Sequence, residues 1–150
     1  MTIEEALKTE KFESEYQRLM CNIMYTNGWV VGLQQRFFKD YDLTLQQYNI
    51  LRILRGQKGK PLPLNSITDR MIDRMSNTSR IVDRLEKKAL VTRKTCPKDR
   101  RQVDVLITDE GLKKLNDIDH DTSAMENGMN HLSVEKARKL NDLLDELRND

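Results

Sequence analysis

All three prolines of this 150-residue chain, Pro61, Pro63 and Pro97, fall in its middle third. Proline lacks a backbone donor and breaks helix interiors, so the flanks are free to form long helices while the centre must be divided into short elements. Hydrophobic residues make up 37% and charged residues 33%, which means much solvated surface, as amphipathic helices provide. Aliphatic residues recur throughout and charges of both signs interleave, which argues against disorder. No apolar run reaches the roughly 18 residues of a membrane span. The start Met1-Thr2-Ile3-Glu4-Glu5 lacks the basic region of a secretory leader, so a cytoplasmic chain with no membrane partner is expected.

Charge divides the chain in the same way. Residues 1–51 hold 5 basic and 7 acidic side chains, residues 52–102 hold 15 and 5, and residues 103–150 hold 6 and 12. A basic centre between acidic ends is the footprint of a lobe that meets polyphosphate while its flanks do something else. The two cysteines, Cys21 and Cys96, are far apart, and His120 and His131 add no zinc spacing. No phosphate-cradling loop, nucleophile elbow or paired-His helix is present. No metal or cofactor is expected, and the chain is not expected to be an enzyme.

In the first flank Phe12, Tyr16, Leu19, Met20, Ile23, Met24, Val30 and Val31 recur at helical steps towards Phe38. Asn27-Gly28 interrupts this stripe and marks a bend, a helix boundary or a close approach by another helix. Thr44 and Gln47 have capping-box spacing ahead of Leu45, Tyr48, Leu51 and Leu54, and Gly56 and Gly59 end that helix. Pro61-Leu62-Pro63-Leu64 is read as non-helical, Ser66 with Asp69 as the start of a short helix, and Ser76 as the start of the next. In that helix Ile81, Val82, Leu85 and Ala89 make one face, and Asn77, Arg80, Arg84 and Lys87 make another.

The period then changes from 3.6 to 2. Two strands, 91–95 and 102–107, are joined by the basic tip Cys96-Pro97-Lys98-Asp99-Arg100-Arg101. A helix follows Thr108, and a last one is capped by Ser133, with Ala137, Leu140, Leu144 and Leu147 forming a helix-packing seam. The expected fold is mainly α with a small β-hairpin wing: a winged helix-turn-helix flanked by N- and C-terminal helices.

Residues 43–115 resemble the MarR family of bacterial transcriptional regulators. The resemblance is carried by Ser76-Asn77-Thr78-Ser79-Arg80-Ile81-Val82-Asp83-Arg84-Leu85-Glu86-Lys87-Lys88 followed by Leu90-Val91-Thr92-Arg93. Pro97-Lys98-Asp99-Arg100-Arg101 and Ile107-Thr108-Asp109-Glu110-Gly111 continue it. It implies a single MarR-like domain, with a DNA-binding lobe at 43–111 and dimerisation helices at 1–38 and 112–150. The implied protein is a homodimeric repressor bound to a palindromic operator in double-stranded DNA. Ser76 would cap the recognition helix, and Asn77, Thr78, Ser79 and Arg80 would face base edges. Arg80 is the candidate guanine reader, and Arg84 would reach a phosphate or Asp83.

Lys94 and Lys98 would meet phosphate, while Arg100 or Arg101 would enter the minor groove, with Asp99 orienting Arg101. Two positions depart from the family pattern: Ala89 replaces a frequent glycine, and Cys96 replaces a frequent aspartate. The family also implies an effector crevice for a small, often aromatic, ligand. Met20, Met24, Trp29 and Tyr48 could line it, or could be plain core. Cys21 and Tyr25 have the spacing of the family's peroxide-sensing branch, but Gln35 stands where that branch has a second tyrosine. Oxidation at Cys21 or Cys96 is therefore a second candidate signal. The competing function is a winged-helix protein-interaction scaffold, which predicts no sequence preference on DNA.

Overall fold

Most helices in this chain begin where a side chain can satisfy the first free amides. The computed structural model describes residues 1–95, 103–126 and 128–149. Its elements are α1 (Ile3–Leu7), α2 (Glu15–Lys39), α3 (Leu45–Arg55), β1 (Leu62–Pro63), α4 (Leu64–Thr68), α5 (Thr78–Lys87), β2 (Val91–Thr95), β3 (Val103–Ile107), α6 (Asp109–Glu126) and α7 (Val134–Arg148). Thr44 and Gln47 form the expected capping box on α3, and Ser133 caps α7. Thr2 and Glu5 form a second capping box on α1, a short helix absent from the sequence expectation although its spacing carried the signal.

Three expectations are corrected. The hairpin is part of a three-stranded antiparallel sheet in the order β1-β3-β2, with Leu62 opposite Val105 and Arg93 also opposite Val105. Two residues around Pro63 suffice for an edge strand, where a missing donor is tolerated. Helix α4 begins at Leu64 rather than Ser66, directly from the edge strand and without a side-chain cap. That early start places Ile67, fully buried, in the core. Finally, α2 runs unbroken through Asn27-Gly28, and a Cβ at Gly28 would meet nothing within 4 Å. Neither a helix boundary nor a close approach by the described residues explains that glycine.

The core is built around the central lobe. Ile50, Leu51 and Leu54 of α3 meet Val82 and Leu85 of α5, Ile67, and the sheet residues Val91 and Val105. It extends past both expected lobe boundaries, to Phe38 on one side and to Leu115 and Ile118 on the other. Phe38 packs on Tyr48 with ring centroids 4.4 Å apart, fixing the end of α2 against α3. Away from this junction the flanking helices bury little: Phe38 is the one buried residue of α2, and α7 has none.

Helix α5 ends in a left-handed turn at Ala89 (φ 58). The Leu90 amide donates to the Leu85 carbonyl at 3.0 Å and the Ala89 amide to Glu86 at 2.9 Å, the paired bonds of a Schellman motif. Leu85 and Leu90, the two apolar positions of that motif, are both buried. Thr108 closes the turn from the other side. Its amide donates to Leu90, its hydroxyl donates to the Ala89 carbonyl at 2.7 Å and accepts from Gly111 at 3.1 Å. A Cβ at Gly111 would collide with the Leu90 carbonyl and lie 2.8 Å from Ile107 Cγ1.

Ala89→Gly should raise stability by about 1 kcal/mol, because glycine adopts this conformation without the Cβ clash. Gly111→Ala should lower it by roughly 1–3 kcal/mol through overpacking. Urea unfolding monitored by circular dichroism measures both. A pH effect also follows from Tyr41, whose hydroxyl donates to Asp121. That bond, with burial, pushes the phenol up to about 12. An unfolded tyrosine titrates near 10, so this contribution is intact below about pH 10 and is lost as pH rises through about 12. Tyr41→Phe should flatten the stability decline over that window.

Candidate nucleic-acid interface

The amphipathic pattern of α5 decides which of its side chains can reach a ligand. Val82 and Leu85 are fully buried against α3, which turns Ser79, Arg80, Arg84 and Lys87 outward, all exposed. The cap is Asn77 rather than Ser76: Asn77 Oδ1 accepts from the Arg80 amide at 3.0 Å. Ser76 is held outside the helix because its hydroxyl donates to Asp73 Oδ2 at 2.9 Å. Asp73 thereby takes the hydroxyl that the capping expectation had assigned to the helix.

Thr78 also departs from the expectation of a base-facing residue. It is only 4% exposed, and its hydroxyl has no hydrogen-bond partner among the described residues. Its position one residue after the cap turns it towards the core. Within the first turn, the exposed set is therefore Asn77, Ser79 and Arg80. Arg70 and Arg74, exposed in the turn between α4 and α5, contributed to the basic count but lay outside any periodic pattern. That turn is tied to α3 by the Ile72 amide, which donates to Asn49 Oδ1 at 3.0 Å.

Asp83 is not paired with Arg84. Arg93, on β2, takes both Asp83 and Glu86. Its Nε donates to Glu86 Oε2 at 2.8 Å, Nη2 lies 2.6 Å from the same oxygen, and its backbone amide donates to Glu86 Oε1 at 3.2 Å. Nη1 donates to Asp83. The side-chain bond from Arg93 holds the Glu86 carboxyl below its ordinary range, and the same bond raises Arg93. Seven residues and a helix-to-strand turn separate Glu86 from Arg93, so no simple periodicity announces the pair. Lys88 is similarly engaged, 2.8 Å from Asp42 Oδ2, and its hydrogen bond lowers the Asp42 pKa. Lys94 is exposed on β2. The expectations for Cys96, Lys98, Asp99, Arg100 and Arg101 lie outside the described residues.

The expected effector residues are not gathered into one crevice. Met20, Met24, Tyr25 and Trp29 are exposed on α2, so their alternative role as core of this chain fails as well. Cys21 is half-buried on the same helix, and among the described residues it shares no hydrogen bond with Tyr25. Tyr48 is half-buried at the α2–α3 junction, where its hydroxyl accepts from Arg52 at 2.9 Å. A groove of about 1180 Å³ instead lies between the second half of α2 and the starts of α3 and α5. Val30, Val31, Leu45, Lys39, Arg84 and Lys87 are among its walls, and none of the six expected residues is.

The family model for MarR matches residues 43–103. The HTH-type transcriptional regulator MhqR of Bacillus subtilis is 35% identical over 84 residues, covering 56% of this chain and 57% of that protein. The aligned region spans about half the length of the curated relatives it matches. A MarR transcription factor from Planctomyces limnophilus is 30% identical, with a TM-score of 0.70 over 90% of this chain and 98% of that one. A mutant E. coli MarR, solved with operator DNA, shares the fold at a TM-score of 0.81 and 20% identity, over 93% of this chain and 100% of its own. With identity and coverage at that level along nearly the whole chain, and the winged helix-turn-helix in place, the chain belongs to the MarR family of transcription regulators, which are not enzymes.

Proposed function

We propose that this chain is a homodimeric, sequence-specific DNA-binding repressor that reads a palindromic operator and is released by a small ligand. The observation that carries this reading is the construction of α5. One face is locked into the core by Val82 and Leu85, and the other presents Asn77, Ser79, Arg80, Arg84 and Lys87 to solvent. A rigid helix with an exposed polar first turn and a basic flank is what major-groove reading requires. Arg80 is the base reader. Arg84, Lys87, Lys94 and Lys98 meet phosphate, and Arg100 or Arg101 is the minor-groove residue, with Asp99 orienting Arg101.

Assembly is assigned to 1–38 and 112–150. Support comes from the apolar side chains these segments leave in water: Leu19, Met20, Ile23 and Met24 on α2, and Leu140, Leu143 and Leu147 on α7. Contiguous apolar surface of this kind marks a protein contact. A symmetric dimer would place two α5 helices about one DNA turn apart, roughly 34 Å. For the effector, the groove beside α5 fits a small anion with an apolar body. Val30, Val31 and Leu45 offer apolar contact there, while Lys39, Arg84 and Lys87 offer charge. Because Arg84 borders both the groove and the outward face of α5, such a ligand would draw it away from phosphate.

In a randomised-site selection, Arg80→Ala should cost on the order of 1–3 kcal/mol and relax preference at one position per half-site. An unchanged consensus would refute the assignment of Arg80. Thr78→Val is the contrasting case. Removing a buried, unpartnered hydroxyl should stabilise the fold by about 1 kcal/mol and leave operator affinity as it was. Deleting residues 133–150 should give a monomer by sedimentation; a truncated dimer with normal operator binding would overturn the interface.

A further inference from the structure

The geometry points to Arg93 as a positioning residue: by holding Asp83 and Glu86 of α5 from the middle of β2, it sets the angle at which the hairpin leaves the recognition helix. This rests on the DNA-binding reading above and goes beyond it. The core restrains β2 only at its first residue. Along β2 Val91 is buried, while the four residues after it are exposed. Strand alternation puts Arg93 on the same face as Val91. Where apolar packing between β2 and α5 ends, the guanidinium takes its place.

Asp83 and Glu86 are three apart on α5 and so neighbour each other on its surface. The Arg93 fork spans both, and its backbone amide ties Glu86 a second time. Three separate donors of one residue therefore bridge strand to helix. Partly exposed ion pairs contribute little to global stability, and the Arg93 side chain is 34% exposed, so the role is one of orientation. The direction in which β2 leaves α5 sets where the exposed Lys94 of that strand meets DNA. With its donors committed to two carboxylates, Arg93 is also withdrawn from phosphate contact.

The expected effect of removing Glu86 is opposite in sign to simple electrostatics. Removing an acidic side chain from a DNA-facing helix should normally tighten binding, since it lifts a repulsion. If Glu86 anchors Arg93, Glu86→Ala weakens binding instead, by about tenfold, comparable to losing one base-pair contact. The probe is the duplex that the full-length wild-type protein recovers from a randomised pool, titrated by fluorescence anisotropy over a series of salt concentrations. Arg93→Lys keeps the charge but cannot fork to two carboxylates, and should weaken binding to a similar degree with an unchanged salt slope.

In the free protein, both variants should speed amide exchange over 91–95 and leave Val82 and Leu85 protected. Tighter or equal binding by Glu86→Ala overturns the inference. So does a salt slope reduced by about one in Arg93→Gln, which removes the charge and would make Arg93 a phosphate contact, and so does unchanged exchange in β2. Recovery of no duplex by the wild-type protein would instead refute the DNA-binding reading, and the exchange measurement would still decide whether Arg93 holds the strand.

Discussion

The left-handed turn at Ala89 is the constraint on which the central lobe depends. In the space of two residues it stops α5, reverses the chain and starts β2 with Leu90 and Val91 buried. A gentler exit would carry β2 past α5 instead of back beside it, and Arg93 would then lie beyond reach of Asp83 and Glu86. Thr108 and Gly111 close on the same turn, so the start of α6 is referenced to the end of α5. Helix α5, the hairpin strands and the first turn of α6 thus share one joint. An alanine there carries the backbone strain that a glycine would avoid, yet the hydrogen bonds from both sides determine the conformation.

Features governed by local chemistry were legible in the residues. The Thr44–Gln47 capping box, the change of period at Val91 and the two-faced pattern of α5 each depend on a few neighbouring side chains, and the order of elements other than α1 and β1 follows from them. What escaped depended on competition or on distance. Ser76 has the right chemistry for a cap, but Asp73 is better placed to take its hydroxyl, leaving the role to Asn77. Leu64 opens a helix without a polar cap because β1 is paired to β3 and the next buried position, Ile67, is only three residues away. The Arg93 contact joins two elements of different period, and no single-period pattern reveals it.

The stripe on α2 illustrates a different limit. Helical spacing of Leu19, Met20, Ile23 and Met24 establishes that one face is apolar, yet says nothing about what covers it. Among the described residues nothing does. The same limit governs the effector residues: Met20, Met24 and Trp29 share a helix with the groove, but the groove takes Val30, Val31 and Gln34 from the next turns of α2. Which turn faces α3 is set by the aromatic junction of Phe38 and Tyr48, a tertiary contact. Cys21, half-buried, precedes Asn27, the first α2 residue of the groove wall, and among the described residues has no hydrogen bond to Tyr25.

The exposure of α7 bears on how its helical order is maintained. Fifteen residues is about the length at which an isolated helix in water is only marginal, because nucleation is costly and each added residue contributes little. Ser133 and the internal Asp145–Arg148 pair help only modestly, and no residue of α7 is buried to add to them. In the proposed dimer, ordering of this segment and assembly would become a single equilibrium. On dilution the C-terminal segment would lose its shape while the lobe around α5 kept its own, making shape at one end of the molecule a function of concentration and at the other a function of sequence alone.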